Sequence, residues 1–214
     1  THSAAKIDKS QNDNWLNAVL YLDPHFNNQV CKGASKGCKQ SCLINSGRMI
    51  MESAVNARQN RTAYYFNDRE MFTMTLQGEI AALLYKATKQ GKRLAMRLNG
   101  TSDLDWSAIY KAFPSVQFYE YTKRPDLAKK LHKIDNVHIT FSKHENHSEL
   151  NVKKLLSSGV NVAVVFNKEV PANYINITVI DGDKHDRRFE DKQGRIIGLK
   201  LKGTNRVKQL AIES

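Results

Sequence analysis

A chain of 214 residues with 41% hydrophobic and 25% charged side chains is long enough to bury a proper core, and its composition is that of an ordinary soluble globular domain. No apolar run approaches the about 20 residues needed to cross a bilayer, which excludes a membrane-spanning helix. The 33 Lys and Arg against 21 Asp and Glu leave a net charge of +12, a surplus that favours a polyanionic partner, nucleic acid ahead of an acidic membrane surface.

Thr1 to Asn14 is polar and lacks a signal-peptide apolar core. It is expected to be a flexible leader before a single domain over 15–214, in the cytoplasm. Trp15 to Leu22 is a short apolar run halted at Asp23-Pro24 and reads as the first strand. Helical spacing follows in Ile44 to Arg58, with Ile44, Met51 and Val55 on one stripe. It returns in Asp68 to Gln90, where Phe72, Leu76, Ile80, Leu83, Leu84 and Ala87 recur at intervals suited to one helix face. Asn67 or Asp68 can cap that helix and Gly91 can end it; Ala63 to Phe66, before it, is open to an extended reading.

From Lys92 the chain alternates strand and helix. Strands are expected at Arg93 to Leu98, Val116 to Tyr121, Val137 to Phe141, Asn161 to Phe166, Ile175 to Ile180 and Ile196 to Leu201. Helices are expected at Asp105 to Phe113, Pro125 to Lys133 and Ser148 to Ser157, before a basic tail, Gly203 to Ser214. The pattern predicts an α/β fold with at least six parallel strands joined by right-handed crossovers. A parallel partial (β/α) barrel and a doubly wound open sheet both suit it, and no glycine-rich dinucleotide fingerprint supports the second. The turn after each strand is rich in polar, reactive side chains, and in a barrel those turns would converge on one face.

All three cysteines, Cys31, Cys38 and Cys42, lie in one loop after the first strand. An odd number of thiols cannot pair off completely, so a closed disulfide framework is the poorer reading. Thiolate clusters select zinc or an iron-sulfur cluster, and three ligands rather than four leave a position for water, substrate or cofactor. Lys32, Lys36 and Lys39 would stabilise thiolates or an anionic cluster. The plainer alternative makes Cys38 and Cys42 small buried residues.

Asn99-Gly100-Thr101-Ser102-Asp103 offers an amide, hydroxyls and a carboxylate on a glycine turn, suited to ribose hydroxyls or to the amino and carboxylate groups of a small ligand. Ser102 or Asp103 would serve equally as a helix cap. Lys123 and Ser142 close two further strand-end turns. Asp181-Gly182-Asp183 opens a polar turn in which Asp181 is expected to point into a site, although the full calcium-loop pattern is absent. His25, His144 or His147 would supply a fourth ligand to zinc, or a proton or phosphate contact beside an iron-sulfur cluster. No serine elbow and no Walker-type loop occurs, while Phe118 to Arg124 interleaves aromatic and basic residues suited to stacking on nucleic acid.

A strand followed at once by a three-cysteine loop, then helix and further strand units, resembles the radical S-adenosylmethionine enzymes, although their usual cysteine spacing is shorter. The resemblance implies a partial parallel barrel, a [4Fe-4S] cluster on Cys31, Cys38 and Cys42, and S-adenosylmethionine held near Asn99 to Asp103. A closer likeness runs along most of the chain. The cysteine segment Cys31 to Cys42 with Gly47-Arg48, then Arg97 to Asp103, Tyr121-Thr122-Lys123, and Asp181-Gly182-Asp183 with Asp186, Arg188 and Phe189 are similar to the bacteriophage gene-product-88 family. That likeness implies a phage origin, hence the cytoplasm of an infected host cell, and treats these segments as one site without supplying a reaction. The combined expectation is an iron-sulfur protein in which Asn99, Gly100, Thr101, Ser102, Asp103, Lys123, Ser142, Asp181 and Asp183 bind a nucleoside-containing cofactor and a nucleic acid or nucleotide is the substrate. The alternative is a basic nucleic-acid-binding phage protein with a structural metal and no catalysis.

Overall fold

The computed structural model describes residues 14–26 and 29–201, so the leader (Asn14 apart) and the basic tail expected from the sequence lie outside the described residues. The first apolar run forms β1 (Trp15–Val19), shorter than the predicted Trp15 to Leu22. The chain still runs beside its neighbour past Val19, because Leu20 N donates to Arg97 O at 2.8 Å and Gly100 N donates to Leu20 O at 3.0 Å.

The cysteine loop carries a single helical turn and a half, α1 (Lys36–Gln40), and then two tight 3-10 turns over Leu43–Asn45 and Gly47–Ile50. The helix predicted from Ile44 therefore starts only at α2 (Glu52–Asn67), and Ala63 to Phe66 belongs to it rather than to a strand. Asp68 separates α2 from α3 (Arg69–Lys89) and caps the latter by accepting from Met71 N at 3.0 Å. The end of α3 follows from Gly91, which sits at φ +64°. There Gly91 N donates to Thr88 O at 3.0 Å and Lys92 N to Ala87 O at 2.9 Å, which satisfies carbonyls the helix leaves open.

Strand and helix then alternate as predicted: β2 (Arg93–Arg97), α4 (Ser107–Ala112), β3 (Gln117–Thr122), α5 (Pro125–Leu131), β4 (Val137–Ser142), α6 (Glu149–Ser157) and β5 (Asn161–Phe166). The run Ile175 to Ile180 is not one strand. Ile175 and Asn176 take φ of +47° and +64° and turn a short hairpin between β6 (Asn173–Tyr174) and β7 (Ile177–Asp181), the one antiparallel pairing among the described residues. A two-residue turn with both residues left-handed suits the twist of paired strands. The last strand is β8 (Ile196–Lys200).

The eight strands make one sheet in the order β1-β2-β3-β4-β5-β8-β7-β6. The first five lie side by side in chain order, without the reversal of a doubly wound sheet. β8 then inserts between β5 and β7 and pairs parallel with both. β1 and β6 are the two edges of an open, mostly parallel α/β sheet.

Strand parity divides the sheet into two unlike faces. Ala18, Leu20, Leu94, Met96, Phe118, Ile139, Phe141, Val162 and Val164 join the buried residues of α3 to α6 in one apolar core. Trp15, Tyr21, Arg97, Tyr119 and Tyr121 stand on the other face, where Phe189 packs between Trp15 at 4.8 Å and Tyr119 at 5.5 Å. The loop between β7 and β8 thus lies across the non-helical face and is anchored there by Arg188, which is buried and paired with Asp191 at 3.2 Å.

Candidate functional site

A cavity of about 1040 Å³ opens over that polar face, at the carboxyl ends of the parallel strands. Its floor is made by Val19 in β1, Tyr21 just after it, Arg97, Tyr119, Tyr121, Val165 and Leu199. Cys31, Cys38 and Cys42 line it, as do Asn99, Gly100, Thr101, Ser102, Asp103, Lys123, Ser142 and Asp183. Strand-end turns separated by up to about 150 residues in sequence therefore meet on one rim. Convergence is a consequence of parallel pairing: strands running the same way put all their exits on the same edge.

The cysteine loop is held from two sides. Ser35 caps α1, its hydroxyl oxygen accepting from Cys38 N at 3.1 Å. The Glu145 carboxylate, from the turn after β4, accepts from Ser35 Oγ at 2.7 Å and from Gly37 N at 3.0 Å. These bonds keep Glu145 below the usual carboxylate range despite its partial burial. On the other side Asp103 N donates to Val30 O at 2.9 Å, which joins the start of the loop to the β2 turn.

The thiols face an apolar, partly closed setting. Burial, then the negative charges of Asp103 and Cys38, push Cys31 up to about 12, with Lys123 pulling the other way. Cys42 is raised as well, by burial first. A thiolate at Cys31 therefore needs a cation that the surrounding side chains do not themselves supply. Among the described residues no three Cys, His, Asp or Glu side chains close on a point suited to a single metal ion.

The Asn99 turn is tied to its neighbours by nearly every polar atom it has. Asn99 Oδ1 accepts from Ser102 Oγ at 2.7 Å, Leu104 N at 3.0 Å and Trp106 Nε1 at 3.2 Å, and Asn99 Nδ2 donates to Leu104 O at 3.0 Å. Asn99 is thus the knot of the turn. Thr101 Oγ1 donates to Leu22 O at 2.5 Å, the end of the β1 run. Gly100 is required by close approach, since a Cβ there would lie 2.6 Å from the Tyr21 ring and 2.7 Å from Leu20 O. Asp103 accepts from Thr122 Oγ1 at 2.6 Å and Lys123 N at 3.1 Å, and burial raises its carboxyl against those bonds. Lys123 Nζ reaches on to Ser142 Oγ at 2.9 Å. The exits of β1 to β4 are in this way bonded to one another in sequence around the rim.

Two supports were not legible as such in the sequence. Glu120, wholly buried on the helical face of β3, accepts from Leu98 N at 2.7 Å, Asn99 N at 2.9 Å and Tyr110 Oη at 3.0 Å and so anchors the turn from beneath. Burial pushes its carboxyl up to about 7 even against these donors. A lone acid between Tyr119 and Tyr121 was the available signal. α2 supplies the second: Ala54, Ala57, Arg58 and Arg61 line the cavity from one helix face, a spacing the stripe of Ile44, Met51 and Val55 does not reveal.

Asp181 does not line the main cavity. It lies opposite Gly198 on the same side as Val179 and borders a separate cleft of about 440 Å³ with Glu169, Val170 and Lys200, because one step along a strand reverses the face. Asp183 borders both cavities, and Lys200 N donates to its Oδ2 at 2.8 Å. His25 lines the main cavity. His144 and His147 instead pack tilted against each other with ring centroids 3.8 Å apart beside Phe141, and burial lowers both, His144 to about 4. Seven Lys or Arg and three Asp border the cavity, so it is electropositive overall. Among the described residues no helix is long and apolar enough to cross a membrane.

The family model described as gene product 88 matches residues 1–213. No curated protein and no solved structure matches the chain.

Proposed function

Taking as premise that the chain belongs to the gene product 88 family, of bacteriophage origin, we propose that its cavity holds an iron-sulfur cluster and works on S-adenosylmethionine, with a nucleic acid or nucleotide as substrate. The observation that carries this reading is that Cys31, Cys38 and Cys42 share one cavity with the Asn99 to Asp103 turn. The in-order run of β1 to β5 supports a partial barrel around it.

Three thiols on one cavity are the donor type that a cluster takes. A tetrahedral zinc at about 2.3 Å from each sulfur needs its ligands gathered tightly, whereas a cluster spreads its thiolates over several irons. Cys31, with its thiol pushed to about 12, needs such a cationic partner before it ionises. Bound there, the cluster would supply the electron that cleaves a carbon–sulfur bond of S-adenosylmethionine. Glu145 and Ser35 fix the loop that carries Cys38. Asp103, buried beside Lys123, offers a carboxylate to an amino group.

Anaerobic purification followed by iron and sulfide analysis tests the reading. About four irons per chain are expected, and they should be lost in Cys38→Ala. Stoichiometric zinc, or no metal, refutes it. The electropositive lining also favours a second reading, a nucleic-acid-binding phage protein in the infected cell with a structural metal. That reading requires affinity for DNA or RNA that falls with salt, and no slope at low salt removes it.

A further inference from the structure

Arg58 is 4% exposed, yet it lacks what a buried arginine ordinarily has. Its Nη1 donates to Met49 O at 2.9 Å, but its Nε is buried without a hydrogen-bond partner. Among the described residues no carboxylate pairs with Arg58 or with Arg61, one turn further along α2. Arg188 differs in its counter-charge: equally buried and likewise with its Nε unpartnered, it holds the Asp191 carboxylate at 3.2 Å and so serves the fold. Arg58 and Arg61 both line the main cavity, and residues three apart on a helix are neighbours, so two like charges are held close there with no carboxylate paired to either among the described residues. Ala54 and Ala57 line the cavity from the same stretch of α2.

We propose that Arg58 and Arg61, on the α2 wall of the cavity, form the seat for the phosphate ester of a nucleotide-type ligand. The guanidinium fork matches phosphate oxygens in pairs and stays charged at all physiological pH. Two forks together suit a phosphate monoester, whose charge is about −1.5 to −2 near neutrality, better than a single carboxylate. At about 1040 Å³ the cavity has room for a whole nucleotide, and Tyr121, whose ring lies under the Arg97 guanidinium at 4.6 Å, is among the residues that line it. The proposal deepens the reading above by locating the substrate's phosphate and rests on it for the nucleotide class alone, since the seat involves no cysteine.

Calorimetric titration with adenosine 5′-monophosphate and with adenosine tests it, on the wild type, Arg61→Gln and Arg58→Lys. The monophosphate should bind at least about tenfold tighter than adenosine, and that advantage should vanish in Arg61→Gln while adenosine binding stays unchanged. Arg58→Lys keeps the charge and most of the packing, so it should fold, as circular dichroism verifies, and weaken the monophosphate selectively. Equal affinity for the two ligands, or an advantage that survives both substitutions, overturns the proposal. A 5′-phosphorylated tetranucleotide distinguishes the sources of the phosphate: tighter binding than the monophosphate indicates a strand end and equal binding a free nucleotide, both supporting the seat. Iron content measured on the same samples judges the cluster reading separately, because neither arginine substitution touches the thiols.

Discussion

Replacing Glu120 by Gln isolates the group that anchors the Asn99 turn. Burial holds the Glu120 carboxyl at about 7, above the 4.5 of a free glutamate, while Leu98 N, Asn99 N and Tyr110 Oη donate to it. A group raised in the folded state binds its proton more tightly there than in the unfolded chain. Its contribution to stability is therefore fully present below 4.5 and is lost as pH rises through 7. A difference of about 2.5 units, at about 1.4 kcal/mol each, makes the loss about 3 kcal/mol. Gln cannot ionise and removes that slope. It also brings an amide N–H against one backbone donor, a cost of about 1–3 kcal/mol at every pH. His138 and His144, both lowered to about 4 by burial, change stability in the opposite sense over much of the same range. The informative quantity is consequently the difference between the two proteins, in which the histidines cancel. Urea unfolding at pH 4.5, 6 and 7.5 should show the wild type losing about 3 kcal/mol relative to Glu120→Gln across the series. A difference that stays flat with pH refutes the assignment of that proton to Glu120.

Two further outcomes concern the cysteine loop. Glu145→Ala removes two bonds to a partly solvated carboxylate, worth together about 1 kcal/mol, and should raise the rate of Cys38 alkylation in metal-free protein about fivefold; an unchanged rate means the loop is held otherwise. The clamp has its own pH window: Glu145 is lowered in the folded state, so its contribution is present above the ordinary carboxylate range and is lost as pH falls through the lowered value. Cys31, pushed to about 12, should react with iodoacetamide in metal-free protein at a rate that climbs about tenfold per unit from pH 7 to pH 9, whereas a plateau below pH 9 contradicts its burial.

Much of the architecture was legible along the chain. The alternation from Arg93 to Phe166 predicts strands and helices that the fold contains with small shifts at their ends, because each apolar run has one period and one clear stop. Asp68 and Gly91 mark the limits of α3 through their own backbone chemistry. Where local signals were mixed, prediction failed. Ile44 to Arg58 has helical spacing, but Gly47 at φ +57° and the two 3-10 turns delay the helix to Glu52. Ile175 reads as a strand residue, yet it lies in a left-handed turn, which nothing in its side chain announces.

The candidate site divides in the same way. Parallel strands imply convergent exits, so the meeting of Cys31, Asn99 to Asp103, Lys123 and Ser142 followed from the alternation alone. Whether a given strand-end residue faces that meeting point depends on register and twist, which is why Asp183 borders the cavity and Asp181 does not. Glu120, Glu145 and Arg58 acquire their roles only from the folded neighbourhood: a carboxylate beneath a backbone turn, a clamp 108 residues from Gly37, and a buried guanidinium whose Nε has no hydrogen-bond partner among the described residues. By itself the sequence determined which segments become strands and helices and which side chains stand at their ends, since period, caps and turn residues act over a few positions. Only the tertiary structure decided which of those side chains are used up holding the rim together and which remain turned toward the cavity, because burial and hydrogen-bond pairing are properties of the folded neighbourhood.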